Sequence, residues 1–404
     1  MVETGGKDGN QGKAGRETLH SSSIQAAEMV LPCRDLDDTV AFFTDRLGFR
    51  LDAIFPADRP AVAVVSGHGL RLRLDGNSQG DPGRIRLLCR NPAAVAAGAL
   101  ELTAPNGTRI ELAEAFPRVV LPPLQPSFVL SRLDERTRWQ TGRAGMRYRD
   151  LIPGRQGGRF IASHIQIPGA GPVPDYVHYH RVHFQMIYCA RGWVRVAYED
   201  QGPSIILRRG DCVLQPPEIR HRVLEASAGL EVIEIGCPAN HETLADHNLS
   251  LPTSERRPER EFGGQRFHHH EAAEAAWQPY RFPGITARDT GLAAATGGIA
   301  GVQVLRLSKA SATRPQSHDA DLFFTFVLQG AALLDLGEQS GMRLRAGDSF
   351  VVPAGLPHKL TVQAEELEIL QVTLPAAFNS SAVADVKTGT AGRESKPGGR
   401  GAGR

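Results

Sequence analysis

The run VHYHRVHFQMIYCARGWVRV, residues 177–196, carries the strongest structural signals in the chain. It contains His178 and His180, two residues apart, and it leads into the alternating run WVRVAY, 193–198, which is typical of a β-strand. Residues i and i+2 of a strand face the same side, so both imidazoles can reach one ion. Gln185 lies an odd number of residues beyond His180, so the chain must turn between them if its amide is to face that ion.

A third histidine follows in RRGDCVLQPPEIRHRV, residues 208–223. Gly210 and Asp211 form a tight turn, a short strand follows, and Pro216 ends that strand ahead of His221. Three imidazoles from neighbouring strands can then line one barrel. An isolated histidine is more often a surface or core residue than a ligand, but three imidazoles so placed predict a site for a divalent metal ion.

The same pattern occurs a second time further along the chain. Matching residues lie 137 to 139 positions apart, and a repeat of this length is a whole domain. The matched pairs are Arg149 with Arg288, His180 with His318, Gly192 with Gly330, Gly210 with Gly347, Pro216 with Pro353 and His221 with His358. The sequence therefore predicts two copies of one β domain, near 140–250 and 275–375.

These residues resemble the two conserved motifs of the cupin superfamily, His-x-His followed by Glu and Gly, and a spaced Gly, Pro and His. In the first repeat the motif positions are held by His178, His180, Gln185, Gly192, Gly210, Pro216 and His221. The resemblance implies small jelly-roll barrels with a metal inside, and the repeat implies a bicupin. It implies no single reaction, because cupins include dioxygenases, isomerases, decarboxylases, storage proteins and sugar-binding regulatory domains.

One departure from the motif affects the expected chemistry, since Gln185 stands where the family usually has Glu. A neutral amide beside three imidazoles keeps the full charge of the ion, so the substrate is expected to supply the anion. Gln185 is then either a fourth ligand or a hydrogen-bond partner of the ligands. Similar cupin sites favour Fe(II), with Mn, Ni, Cu or Zn as alternatives.

Three functions follow from this resemblance. The leading one is a metal-dependent oxidoreductase, a dioxygenase that acts on a small chelating anionic substrate. The second is a metal-assisted isomerase or decarboxylase, which needs no O2. The third belongs to another class, a non-catalytic cupin that binds or senses a small molecule.

The second repeat predicts a weaker metal site. Gln316, His318 and His358 hold the histidine positions, and Phe323 replaces Gln185. Two imidazoles and an amide form a weak cage, and a phenylalanine that points into it would exclude both water and ion. This barrel is expected to be structural or to form a homodimer.

The residues before the barrels resemble a different family. EMVLPCRDLDDTVAFFTDRLGFRLDAIF, residues 28–55, is similar to the opening βαβ of the glyoxalase/vicinal-oxygen-chelate fold, and TAPNGTRIELAEA, 103–115, to its closing strand. Glu28 and Glu111 fall on two of that family's ligand positions, and the other two are lost. Two carboxylates bind a hard ion weakly, so a degenerate domain used for packing or as a lid is expected.

The expected fold is mainly β, with two tandem cupin jelly-roll barrels preceded by a small α+β domain of βαβββ type. Convincing helical spacing is confined to 35–48 and to the Ala-rich HHEAAEAAW, 269–277. The predicted parts are a disordered tail (1–23), the front domain (24–118), the first cupin domain (119–250), a linker (251–274), the second cupin domain (275–376) and a second disordered tail (377–404).

Charge and composition limit the partners. The 46 basic and 44 acidic residues leave a net charge of +2, which gives no field to attract nucleic acid or an anionic membrane. No apolar run is long enough for a signal sequence or a membrane span, and the five widely spaced cysteines resemble free thiols. The sequence predicts a cytoplasmic protein with a small-molecule substrate.

Overall fold

The computed structural model describes residues 24–309, 311 and 314–383. The chain divides into two compact units, with the boundary between Arg118 and Val119. The predicted tail 1–23 and residues 384–404 of the second predicted tail lie outside the described residues. Among the residues described, no helix is both long enough and apolar enough to cross a membrane.

The first unit opens with the βαβββ arrangement that the sequence predicts. Its elements are β1 (Met29–Pro32), α1 (Leu36–Ala41), β2 (Arg50–Phe55), β3 (Val62–Gly67) and β4 (Leu70–Asp75). Helix α1 continues as a π-helical turn over Phe42–Arg46. The strand order is β1-β4-β3-β2, in which β1 runs parallel to β4 and the other pairs are antiparallel.

A three-stranded sheet of order β5-β7-β6 completes this unit. Its elements are β5 (Arg84–Cys89), α2 (Pro92–Val95), β6 (Glu101–Thr103) and β7 (Arg109–Glu114). Apolar side chains from both sheets, including Phe43, Leu72, Leu74 and Ile110, form one core. Helix α2 is a single turn, because the stretch after Asn91 is too short for a longer helix.

The second unit contains two β barrels, each built from a seven-stranded sheet and a smaller sheet. The strands up to the end of the first repeat are β8 (Val129–Ser131), β9 (Gln140–Thr141), β10 (Arg147–Asp150), β11 (Ile161–Ile167), β12 (Gly171–Pro172), β13 (His178–His180), β14 (Phe184–Arg191), β15 (Trp193–Tyr198), β16 (Ile205–Arg208), β17 (Cys212–Leu214), β18 (His221–Ala226), β19 (Leu230–Cys237) and β20 (Thr243–Ala245). Short helical turns lie at Arg143–Gly145 and at α3 (Arg155–Gly158).

The remaining strands follow the same plan. They are β21 (Glu261–Phe262), β22 (Gln265–Arg266), β23 (His268–His270), β24 (Gln278–Pro279), β25 (Ile285–Asp289), β26 (Gly301–Ser308), β27 (Gln316–His318), β28 (Leu322–Gln329), β29 (Ala331–Leu336), β30 (Gln339–Arg345), β31 (Ser349–Val351), β32 (His358–Val362), β33 (Glu366–Leu374) and β34 (Ser380–Ala382), with α4 (Leu292–Ala295) before β26. The mainly β fold with two tandem jelly-roll barrels is confirmed.

The two barrels exchange edge strands. Strand β8, which precedes the first barrel, pairs with β31 of the second, and β23, which precedes the second barrel, pairs with β17 of the first. Pairing satisfies the edge backbone groups that would otherwise face solvent. The helix expected at 269–277 is therefore wrong, because pairing with β17 outweighs the local helical pattern.

Three strand pairings cross the predicted domain boundaries. The segment 251–274 is no passive linker, since it supplies β23 to the first barrel. Residues 129–131, assigned to the first cupin domain, extend the sheet of the second. Strand β34 pairs with β27, so the second barrel continues past 376 into the predicted tail.

Apolar side chains of both seven-stranded sheets form one core between the barrels, which includes Phe184, Tyr188, Ile233, Phe324, Leu370 and Val372. Two repeat-related arginines cross this interface. Arg149 donates a hydrogen bond to the carbonyl of Gly347, and Arg288 donates one to Gly210. Both glycines have positive φ, as a tight turn requires. Arg149 and Arg288 thus each join one barrel to the Gly-Asp turn of the other.

Candidate metal centre

The three predicted histidines meet inside the first barrel. His178 and His180 lie on β13, and His221 begins the neighbouring strand β18, where it stands directly opposite His178. Their ring centroids are 4.2 Å apart for His178 and His221, 5.2 Å for His178 and His180, and 5.3 Å for His180 and His221. One ring nitrogen from each residue lies within 4.8 Å of the other two, and all three residues are buried.

Backbone carbonyls fix the orientation of each ring. Nδ1 lies 2.8 Å from the Tyr176 oxygen in His178, 3.3 Å from the Glu242 oxygen in His180, and 3.0 Å from the Ile219 oxygen in His221. A carbonyl can only accept, so Nδ1 carries the proton and Nε2 keeps its lone pair. The buried Nε2 of His178 has no hydrogen-bond partner among the described residues. This is how metal-ligating histidines are ordinarily held.

Burial keeps these imidazoles uncharged. It lowers the pKa of His178 and of His180 to about 3, and that of His221 well below its ordinary value. The mutual repulsion of the rings and the nearby Arg143 cation act in the same direction. Metal binding requires neutral imidazole, so the three residues are ready to bind without releasing protons.

The lowered pKa values predict how stability depends on pH. Below the ordinary histidine pKa of 6.5 the unfolded chain takes up protons that the buried rings refuse. The unfolding free energy of the metal-free protein should therefore be highest above pH 6.5 and fall toward pH 3, by about 1.4 kcal/mol per pH unit and per histidine. Denaturant unfolding of EDTA-treated protein at several pH values measures this slope.

His221→Gln should reduce the slope by about one proton, which is about 1.4 kcal/mol per pH unit. The exposed His247→Gln is the control, and should leave the slope as it is in the wild type. An unchanged slope in His221→Gln would contradict a buried, neutral His221.

Gln185 bonds to a carboxylate that the sequence analysis missed. The chain changes sheets between β13 and β14, so Gln185 faces the barrel interior, and its Nε2 donates to Oε1 of Glu234 at 2.6 Å. This contact favours the hydrogen-bonding role of Gln185 over the ligand role. Glu234 lines the cavity, so the protein places a carboxyl group of its own beside the expected anionic substrate. Burial raises the pKa of Glu234, opposed by the Gln185 hydrogen bond.

The sequence did contain a signal for Glu234. Strand β19 reads LEVIEIGC, in which Glu231 and Glu234 are two acidic side chains on an otherwise apolar, largely buried strand. A charged residue in such a position is rare unless it is paired or functional. His241 was missed as well: its Nδ1 lies 2.8 Å from the Pro238 oxygen, and its ring centroid lies 5.3 Å from that of His180.

A cavity of about 250 Å³ connects these groups. Its polar lining includes the three histidines, Glu234, His241 and Arg143, and most of its other walls are isoleucine, valine and leucine side chains. Arg143 forms an ion pair with the fully buried carboxylate of Asp175. The site therefore combines a cluster of neutral imidazoles, one cation, one carboxylate and apolar walls.

The second barrel differs in the same region. Its cavity is about 30 Å³, the space of roughly one water molecule. Phe323 stacks on His318 with ring centroids 4.4 Å apart. Nδ1 of His318 accepts the backbone N–H of Ala320 at 3.2 Å, which places the proton of the neutral ring on Nε2, the wrong tautomer for binding through that atom. Gln316 accepts a hydrogen bond from Ser380 at 3.1 Å.

The structure does not bring the weaker candidates into a ligand cluster. Among the described residues, the side chains close enough together to hold a metal ion are those of His178, His180 and His221. Glu28 pairs with Arg71 at 2.8 Å, and Glu111 with Arg84 and Arg86 at 3.2 Å. The ring centroids of His318 and His358 are 5.7 Å apart, and the Phe323 ring contacts both imidazoles.

Comparisons with known proteins agree with the class of fold. Residues 304–373, most of the second barrel, match the family model described as a cupin domain. A search of curated proteins gave no match. Similar solved structures include oxalate decarboxylase from Bacillus subtilis at pH 4.6, with 14% identity, a TM-score of 0.46, and coverage of 66% of this chain and 80% of that one.

A second similar structure is the formate complex of Lactobacillus farciminis oxalate decarboxylase, with 14% identity, a TM-score of 0.46, and coverage of 65% of this chain and 92% of that one. The family match is confined to the second barrel, and the internal repeat and the sheet order show a first barrel of the same jelly-roll plan before it.

Proposed function

We propose that the first barrel is the active site of a metal-dependent enzyme that acts on a small anionic substrate. The observation that supports it most strongly is the convergence of His178, His180 and His221, each with Nδ1 committed to a carbonyl. Their Nε2 atoms would hold one divalent ion. Fe(II) is the favoured metal, and imidazole ligands also suit Mn, Ni, Cu and Zn.

The donor set fits such an ion. The unpartnered, buried Nε2 of His178 and the neutral state of the rings are what a bound cation requires. When bound, the ion would supply Lewis-acid polarisation of a substrate oxygen and, in the case of iron, a redox couple for O2 chemistry. Three neutral ligands leave its charge largely uncompensated, which favours an anionic substrate.

Glu234 can accept a proton from a substrate in this cavity. Its carboxyl group lines the cavity, and burial raises its pKa above the ordinary value, which makes its carboxylate a stronger base. Gln185 holds one carboxylate oxygen at 2.6 Å and so orients the group. The aliphatic walls exclude water from the reacting groups, which strengthens the electrostatic interactions among them.

The leading reaction is dioxygenation of the bound anion. A metal-assisted isomerisation or decarboxylation is the second candidate, and one observation favours it: a buried carboxylate beside the imidazoles is the proton-transfer group that a non-oxidative reaction needs. In the third candidate function the barrel binds or senses a small molecule without catalysis, and Glu234 only contacts the ligand.

Oxygen uptake separates these functions. Fe(II)-loaded protein would be incubated with a panel of small carboxylic and enolic acids, in air and under anaerobic conditions, with product analysis in both. Dioxygenation requires substrate loss coupled to O2 consumption and no reaction without O2. Equal turnover in both conditions would replace it by the isomerase or decarboxylase. Ligand-dependent stabilisation without turnover in either condition would indicate the sensing function.

A further inference from the structure

Arg143 faces the same cavity as the three histidines but comes from a different part of the barrel. It begins the short turn Arg143–Gly145 between β9 and β10. Ala144 and Gly145 both have positive φ, +53° and +73°. A non-glycine residue in this region is uncommon and costs conformational energy, so the turn is held by its surroundings. The turn directs the guanidinium to the cavity, 5.8 Å from the centre of the Tyr176 ring.

The ion-pair partner of Arg143 is the fully buried carboxylate of Asp175, which also accepts a backbone hydrogen bond. Asp175 takes the ion pair on Oδ1, and its Oδ2 accepts the backbone N–H of Val223 at 3.0 Å. A guanidinium has five N–H donors, and among the described residues Arg143 uses one nitrogen for a hydrogen bond. The Asp175 pair therefore anchors the cation and leaves donors for a second anion in the cavity.

The Arg143 cation belongs to the polar part of the cavity. It lines the same cavity as the three histidines and Glu234. The remaining walls are mostly aliphatic, with Ile165, Val196 and Leu207 among them. A carboxylate that reached neither Arg143 nor the ion would face those apolar walls without a partner, and burying an unpaired charge is costly.

We propose that Arg143 binds the carboxylate of the substrate, and that the substrate is a small monocarboxylic acid with an apolar aromatic or short aliphatic body. This refinement rests on the proposed function of the first barrel. The cavity of about 250 Å³ has the volume of roughly eight waters at ~30 Å³ each, which suits a single ring or a short chain. One cation matches one carboxylate, and the aliphatic walls match the body.

The second barrel supplies a matched control. Arg281 occupies the position related to Arg143 by the repeat. Its charge lowers the pKa of His358, as the charge of Arg143 lowers that of the equivalent His221. Its guanidinium lies against three aromatic rings, 5.3 Å from Tyr280, 5.2 Å from Phe282 and 5.7 Å from Phe378. The cavity there is about 30 Å³, too small for an acid.

Binding of three probes tests the proposal: benzoate, its neutral analogue benzyl alcohol, and oxalate, which is charged at both ends. Calorimetric titration would use protein loaded with Fe(II) or Mn(II) and protein stripped with EDTA. In the EDTA-stripped protein, where no ion competes with Arg143 for the probe, we expect benzoate to bind at least about tenfold more tightly than either other probe, since only benzoate satisfies both the Arg143 cation and the apolar walls. Arg143→Gln should weaken benzoate on the order of 10–100-fold and leave benzyl alcohol and metal content unchanged.

Arg281→Gln should bind all three probes as the wild type does. Arg143→Lys keeps the ion pair with Asp175 if the glutamine variant does not fold, and it should weaken benzoate without abolishing its binding, because one ammonium cannot reproduce the planar fork. Equal benzoate affinity in Arg143→Gln, or tighter binding of oxalate than of benzoate by the EDTA-stripped wild type, would overturn the proposal. Protein that takes up no metal but binds benzoate through Arg143 would refute the proposed function alone.

Discussion

His180→Ala should remove all bound metal, while His318→Ala should leave it in place. Protein purified without chelator is expected to contain about one equivalent of a divalent first-row metal per chain. The reason is the difference between the two barrels: three Nε2 atoms converge in the first, whereas Phe323 stacks on His318 in the second. Replacing His180 removes one of the three imidazole ligands that the protein offers to the metal, and the remaining pair forms a weak site.

Elemental analysis of the wild type and both variants measures this directly, and melting temperatures with and without EDTA show whether each variant is folded. His318 is the matched control because it is the repeat equivalent of His180 and is also buried. Two equivalents per wild-type chain, or metal that is lost in His318→Ala and kept in His180→Ala, would place the site in the second barrel. No metal in the wild type, even after reconstitution, would refute a metal centre.

Glu234→Gln should lower turnover by about 10²–10⁴-fold and leave the metal content at the wild-type level. The substitution preserves shape and can still bond to Gln185, but it removes the proton acceptor from the cavity. The measurement is kcat with any substrate identified in the oxygen test, together with metal analysis of the same preparation. A change in KM alone would mean that Glu234 contributes to binding and not to proton transfer.

Gln185→Ala is the companion variant. Gln185 acts through Glu234, so its loss should reduce kcat less than Glu234→Gln does, with KM nearly unchanged. Full activity in Glu234→Gln would exclude proton transfer by this carboxylate. Metal loss in Gln185→Ala would instead restore the ligand role that the sequence left open for that residue.

Much of the architecture followed from local patterns. Period-two alternation and closely spaced turn signals predicted a mainly β chain, and the resemblance of residues 28–55 to the opening βαβ of a known fold implied the βαβββ arrangement. The repeat offset predicted two equivalent barrels. Phe323 predicted the blocked second cavity, because a large apolar ring that points into a ligand position excludes both water and ion.

Other features depend on which strands become neighbours. Glu234 and His241 lie far along the chain from His180, and only the pairing of β14 with β19 and the path after β19 bring them to its cavity. The exchange of β8 and β23 likewise depends on the packing of one barrel against the other. A strand pattern specifies which face a side chain occupies, but not which strand lies beside it.

The sequence by itself predicted the fold class, the number of barrels and the three histidines, since these follow from residue types at short spacings and from a repeat with a nearly constant offset of 137 to 139 residues. Only the tertiary structure showed Gln185 bonded to Glu234, Arg143 anchored on Asp175, and a cavity of about 250 Å³ in the first barrel against about 30 Å³ in the second. Those contacts join residues distant in the chain, and they form because sheet pairing and close packing leave each buried polar group a single set of partners.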